Sequence, residues 1–215
     1  MTTTNIGVLV SGGGTNLQAI LDRVADGTLA RCRVAVVIAS RPGVYALERA
    51  KAAGVPAVCI SRKRYVDLDA FDAALVEALR AYDVDLVVTA GFLTIFGKAV
   101  VDAYPNRIIN VHPALIPSFC GKGFYGLTPH KKALEYGVKL TGATTHFVDL
   151  EADAGPIILQ KAVEVAPDDT PESLQKRVMI EGEWSILPES IRLFSEGRLR
   201  VEGRRVMIAE STQNT

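Results

Sequence analysis

This sequence has no excess of either charge: 24 Lys and Arg stand against 24 Asp and Glu in 215 residues. Nucleic-acid and acidic-membrane partners usually select a basic excess, so neither is expected. Cysteine is scarce as well. Cys32, Cys59 and Cys120 are odd in number, widely separated, and fit no zinc spacing; they suit a reducing cytoplasm. No apolar run approaches the roughly 20 residues of a spanning helix, and the polar start carries no signal region. What is abundant is core material. Hydrophobic residues make up 48% of the chain, and its length suits one α/β domain better than two small ones.

The first half alternates β-branched runs with amphipathic ones. Strands are predicted over 5–10, 33–39, 56–60, 83–90 and 107–111, and helices from Thr15, over 44–53 and over 68–81. Runs that are apolar on both faces and separated by helices signify a parallel sheet covered on both sides. The expected fold is a Rossmann-like, doubly wound α/β sheet. The second half changes rhythm: 140–150 and 156–165 read as strands with no helix between them, an antiparallel extension of that sheet. A helix start follows at Asp169-Thr170-Pro171-Glu172. A hairpin is expected around Glu202-Gly203, then a loose polar end from Ser211 to Thr215.

Between the first strand and first helix lies Ser11-Gly12-Gly13-Gly14-Thr15-Asn16. Glycines there let backbone N–H groups approach an anion, and the helix start adds partial positive charge. The loop is no Walker A motif, because no Gly-Lys-Ser/Thr follows. It fits the dinucleotide fingerprint poorly, with Leu17 in the third glycine's place and no acid ending the second strand. Two readings stay open: a phosphate site without a dinucleotide site, or a tight strand-to-helix turn.

All three histidines lie in the second half. Period two puts Asn110 and His112 on one face at a strand's carboxyl end, where open α/β sheets hold ligands. Asp153 sits in the later turn EADAGP. Acyl transfer to an amine wants these residue types: an amide N–H for an oxyanion, an imidazole for protons, a carboxylate to orient and strengthen it. The bland alternative makes Asn110 a strand-end tie and His112 a satisfied, half-buried ring. A metal site from the histidines and Asp153 is disfavoured, since they form no compact ligand motif. His146 is read as structural or supporting, and His130 as a solvated neighbour of a helix cap.

SGGGTNLQAI, AGFLTIF (90–96), NVHPALIPSF (110–119) and TGATTHFVDLEADAGPII (141–158) occur in that order. Together they resemble the folate-dependent formyltransferases, and within them the phosphoribosylglycinamide formyltransferase family, from about residue 5 to about 200. The resemblance implies a single domain over 1–215, with a phosphate-binding half to about 105 and a folate-binding, catalytic half over about 106–200. It implies an enzyme of purine synthesis that moves a formyl group from 10-formyltetrahydrofolate to the amine of glycinamide ribonucleotide, without a metal. It makes Asn110, His112 and Asp153 the catalytic trio, with the oxyanion held by Asn110 and protonated His112. Gly12, Gly13, Gly14, Thr15, Asn16, Pro113 and Glu183 become substrate contacts. Leu93, Thr94, Ile95 and Phe96, with Asn110 and the backbone around Ala152 and Gly155, would receive the folate. It is compatible with a homodimer.

Three departures from the family pattern stand out. Leu68 replaces an Arg at the folate-tail position, with Arg62, Lys63 and Arg64 nearby. The segment CGKGFYGLTPHKK is long and glycine-rich, a candidate flap beside the substrate. Trp184 stands where many members have His. A formyl hydrolase or another formyltransferase could use the same trio, though the added domains of the tRNA-directed and deformylase relatives are not expected here. A non-catalytic nucleotide-binding module using only the glycine loop is the rival of a different class.

Overall fold

The computed structural model describes residues 3–210, so the expected polar tail and Met1 lie outside it. The first half builds β1 (Thr4–Val10), α1 (Thr15–Ala25), β2 (Cys32–Ala39), α2 (Tyr45–Ala52), β3 (Ala57–Cys59) and α3 (Leu68–Ala81). Next come β4 (Leu86–Thr89), α4 (Lys98–Ala103), β5 (Ile108–His112) and α5 (Thr128–Tyr136). The remainder holds β6 (Leu140–Phe147), β7 (Ile157–Glu164), α6 (Pro171–Arg177), α7 (Trp184–Ser195), β8 (Leu199–Glu202) and β9 (Arg205–Ile208).

One nine-stranded sheet runs through these elements in the order β3-β2-β1-β4-β5-β6-β7-β9-β8. β1 to β5 pair in parallel, and β6 and β7 extend them antiparallel. The β8–β9 hairpin reaches the sheet through one parallel pairing, Ile157 with Arg205. The doubly wound expectation therefore holds, antiparallel extension included. The chain leaves β1 toward β2 on one side and returns to β4 on the other, so a crevice opens beyond the carboxyl ends of β1 and β4.

Strand alternation sorts the core into two layers. Ile6, Val8 and Val10 face α1, α2 and α7, meeting Leu17, Ile20, Ala46, Leu187 and Ile191. Leu9 faces the opposite way, onto Phe71, Leu75 and Leu79 of α3 and Val100 of α4. A third cluster, with Ala133, Ala143, Val163, Leu174 and Val178, seats α5 and α6 on the antiparallel strands. The predicted start at Thr170 is a capping box: Thr170 Oγ1 accepts the Ser173 N–H, and Ser173 Oγ accepts the Thr170 N–H. Such caps contribute about 1 kcal/mol.

Sequence reading missed three features. The strand read over 83–90 shortens to 86–89, because Asp83 is left-handed (φ 49°). α4 was not foreseen; its start exists because the buried Asp72 carboxylate accepts the Gly97 N–H at 2.9 Å. A π-helical turn, Val178–Glu183, interrupts the path from α6 to α7.

His130 overturns an expectation. It is fully buried in α5, not solvated, and neither ring nitrogen has a hydrogen-bond partner. Burial lowers its pKa from 6.5 to about 4, helped by nearby His112. The unfolded chain thus takes a proton near pH 6.5 that the folded chain refuses until about pH 4. Stability is lost as pH falls through that window. Wild type is expected to lose about 3 kcal/mol more than His130→Leu on going from pH 7 to pH 4. Urea unfolding at the two pH values checks this; equal losses would refute the assignment.

Candidate functional site

The site grows from one row of the sheet. In register, Leu9 of β1 pairs with Thr89 of β4, Thr89 with Asn110 of β5, and Asn110 with His146 of β6. Neighbours in a row are close enough for side chains to meet. The Thr89 hydroxyl donates to Asn110 Oδ1 at 2.6 Å. His146 Nδ1 lies 2.8 Å from the Phe147 carbonyl, which assigns the proton to Nδ1 and leaves Nε2 an acceptor. Asn110 Nδ2 donates to that Nε2 at 3.1 Å. The amide is thereby fixed with its oxygen toward β4 and its NH2 group toward the crevice. Its second hydrogen reaches Asp153 Oδ1 only at 3.5 Å, leaving it free for a better acceptor.

Asp153 arrives from the loop between β6 and β7. That loop doubles back so closely that a Cβ on Gly155 would stand 1.8 Å from the Phe147 carbonyl oxygen, a space only glycine fits. Asp153 itself is left-handed, φ 55°. Its Oδ2 accepts the Gly121 N–H at 2.8 Å and lies 3.4 Å from His112 Nδ1. His146 Nε2 is 3.6 Å from its Oδ1. Burial pushes the Asp153 carboxyl up, but His146, the His112 ring and the Gly121 N–H outweigh it, and its pKa falls below the ordinary value. Asp153 is a carboxylate at neutral pH.

His112 is buried, with Nε2 2.9 Å from the Phe119 carbonyl. Burial pulls its pKa down; Asp153 and the Phe119 carbonyl push back without restoring it. The resting ring is therefore neutral at pH 7, and the protonated ring expected from resemblance belongs to the reaction intermediate. Both its nitrogens nevertheless face oxygen atoms, so a proton arriving during a reaction is stabilised at once. The expected flap begins at Cys120 and meets the trio through the Gly121 N–H on Asp153, while the Phe119 carbonyl that faces His112 stands just before it.

The glycine loop occupies the same edge of the sheet. Gly14 is left-handed (φ 72°), and a Cβ there would meet Ala46 Cβ at 2.7 Å, whereas positions 12 and 13 face open space. α1 begins with no side-chain cap and no acid in its first turn, so its first N–H groups remain available to an anion. Glu183, at the end of the π-helical turn, is buried and accepts from Asn16 Nδ2 at 2.5 Å. Burial raises its pKa, and the Asn16 hydrogen bond only partly opposes this. Asn16 Oδ1 is buried without a partner. Two residues far apart in sequence thus meet beside the glycine loop.

The 91–97 segment is pinned at both ends. Leu93 N–H donates to Ser11 Oγ at 2.9 Å, Ser11 shares a 2.7 Å hydrogen bond with Ser40, and Gly97 is held by Asp72. Leu93 and Ile95 are 54% and 77% exposed, while Phe92 and Phe96 turn inward as a ring pair, 6.4 Å between centroids. Thr94 is half-buried between the two exposed positions. Ala152 flanks Asp153 on the surface, and Pro113 follows His112, half-buried. Leu68 packs inward with the α3 core near Gly97, and Lys63 and Arg64 remain exposed. Sequence reasoning missed Thr89, Ser11 and Ser40, and gave His146 only a supporting part. Strand register was the signal for Thr89 and His146; none existed for the serine pair.

A doubly wound α/β scaffold with an amide donor, a neutral buried imidazole and an ionised carboxylate at its crevice defines an acyl-transfer class of site. The formyl transferase family model matches residues 4–191. Phosphoribosylglycinamide formyltransferase of Haemophilus influenzae is 37% identical over 92% of this chain and 90% of its own length. Glycinamide ribonucleotide transformylase 1 of Symbiobacterium toebii superimposes with a TM-score of 0.91 at 51% identity, covering 97% of this chain and 95% of that one. The trifunctional purine biosynthetic protein adenosine-3 of Chironomus tentans is 36% identical over 93% of this chain, which spans 14% of that protein's length. The chain belongs to the formyl transferase family.

Replacing Asn110 with Ala removes the only amide in the trio while its scaffold stays. Turnover is expected to fall by about 10²–10³ with smaller changes in either KM. Steady-state kinetics on a folded variant checks this, and turnover within about threefold of wild type would strike Asn110 from the catalytic set.

Proposed function

We propose that this protein transfers a formyl group from 10-formyltetrahydrofolate to the amine of glycinamide ribonucleotide, a step of purine synthesis. The observation that carries the reading is the joint placement of two sites on one sheet edge: the Asn110–His112–Asp153 trio and an uncapped, glycine-lined helix start linked to Glu183. Relatives that match along most of their length, those of Haemophilus influenzae and Symbiobacterium toebii among them, bear the corresponding name. The cytoplasm suits an enzyme whose three cysteines are all unpaired. No described helix is long and apolar enough to cross a membrane.

In this reading the free Asn110 amide hydrogen receives the oxyanion that forms when the substrate amine attacks the formyl carbon. Neutral His112 takes the proton that the attacking nitrogen sheds and returns it to the folate nitrogen as the carbon–nitrogen bond breaks. Asp153 stabilises the transient imidazolium and orients the ring. Gly12, Gly13, Gly14, Thr15 and Asn16 hold the phosphate and ribose, Glu183 and Pro113 line the sugar side, and Leu93, Thr94, Ile95, Phe96, Ala152 and Gly155 border the pterin. Leu93 and Ile95, exposed in the free protein, are the apolar surface such a ring would cover. Holding both substrates in one crevice supplies much of the rate.

Mixing the protein with both substrates and following tetrahydrofolate release by absorbance tests the function. Release that needs the ribonucleotide supports it; release without it, as formate, would make the protein a hydrolase; none at all would leave a binding module. Gly13→Val probes the phosphate site cleanly, because its side chain would enter open space without disturbing the fold. Calorimetry should show ribonucleotide binding weakened at least about tenfold and folate binding unchanged. Equal losses for both ligands would contradict the assignment.

A further inference from the structure

Three successive carbonyls of the glycine loop are drawn to the same side. Arg41 donates from Nε and Nη2 to the Ser11 carbonyl. The Ala46 N–H, in the first turn of α2, donates to the Gly12 carbonyl at 3.2 Å. Arg49, further along α2, donates from Nε to the Gly13 carbonyl at 2.8 Å. A trans peptide points its C=O and the following N–H in opposite directions, and the one cis bond among the described residues lies elsewhere, at Ile116–Pro117. The N–H groups of Gly12, Gly13 and Gly14 are therefore aimed away from α2, toward the open side of the loop. Among the described residues none of the three has a backbone partner.

We infer that Arg49, seconded by Arg41, is a positioning residue that sets the anion-binding face of the glycine loop by holding its carbonyls. Resting on the ribonucleotide-phosphate reading given above, it assigns the α2 side a part in substrate binding that the glycines alone do not explain. Glycine is the most freely turning residue, so a run of three has no preferred N–H direction of its own. An external clamp is needed, and it must grip carbonyls, because the N–H groups are the ones reserved for the ligand. Arg49 is itself braced for this. Its Nη1 donates to Gln18 Oε1 of α1 at 2.8 Å, and its guanidinium carbon lies 4.9 Å from the Tyr45 ring centroid. It acts through the loop: its hydrogen bonds run to Gly13 and Gln18 within the protein, so its effect on the phosphate passes through peptide orientation.

The test uses Arg49→Met, which keeps a stem and loses the donors, beside Arg49→Lys, which keeps one. Arg49→Met should raise KM for the ribonucleotide about 10- to 100-fold, the loss of one or two hydrogen bonds to a charged group. Turnover and the folate KM should stay within about threefold, and Arg49→Lys should recover most of the loss. A positioning role keeps the ratio of variant to wild-type KM constant as salt rises; a ratio that collapses with salt marks direct charge attraction and overturns the proposal. So does an unchanged KM, or an equal rise for both substrates. Should Arg49→Met fail to fold, Arg41→Met and Arg49→Lys carry the test, the first raising the ribonucleotide KM and the second sparing it. A separate arm uses inorganic phosphate alone: it should shift the backbone amide NMR signals of Gly12 to Gly14 in wild type and markedly less in Arg49→Met. Equal shifts in both defeat the positioning role. Absence of any shift in wild type, with no effect of Gly13→Val, defeats the phosphate reading itself.

Discussion

The carboxylate of Asp153 is the point on which three other segments of this protein converge. It sits against His112 and Asn110 of β5, His146 of β6 and the Gly121 N–H of the segment that follows β5. Bringing a charged oxygen pair into a mostly buried place is costly unless each lone pair finds a donor. Here the Gly121 N–H donates at 2.8 Å and the Asn110 amide lies at 3.5 Å, both on backbone fixed for other reasons. The two histidine rings lie close enough to favour the charge once protonated. The close approach at Gly155 makes this possible. A side chain there would push the loop off Phe147 and carry Asp153 away from both histidines. The site thus depends on a backbone contact as much as on its polar residues.

The remaining geometry follows from strand register. Thr89, Asn110 and His146 lie side by side because β4, β5 and β6 pair as they do, and a slip of one residue would turn every one of them to the other face. The same edge carries the Ser11–Ser40 hydroxyl pair, whose hydrogen bond to Leu93 ties the glycine loop to the 91–97 segment. The two ligand-facing loops are joined by a single buried serine, so they share one rigid base.

Local rules made much of this legible beforehand. Continuous apolar runs such as Val34 to Ala39 announced a sheet buried on both faces, and period two placed Asn110 and His112 together at a strand end. The quoted motifs led to the right family. What escaped was set by distance in sequence rather than by pattern. α4 exists because Asp72, 25 positions earlier, caps it. Glu183 meets Asn16 only after a π-helical turn rotates it inward, and no sequence rule predicts such a turn. His130 looked solvated because it follows Thr128 and Pro129 at a helix start, yet the helix lays that face on the protein interior. The ionisation of His112 also needed the fold, since burial and two facing oxygens act on it in opposite directions.

The account stands on Asp153 acting upon a buried His112. Its most direct test is an NMR titration of the His112 ring in wild type and in Asp153→Asn, each checked for intact fold. Burial lowers the wild-type value below 6.5, and the Asp153 charge limits the fall. Removing the charge should therefore move the His112 titration to still lower pH, with the ring remaining neutral at pH 7 in both proteins. An unmoved titration, or one that rises in Asp153→Asn, would contradict the pairing on which the proposed chemistry depends.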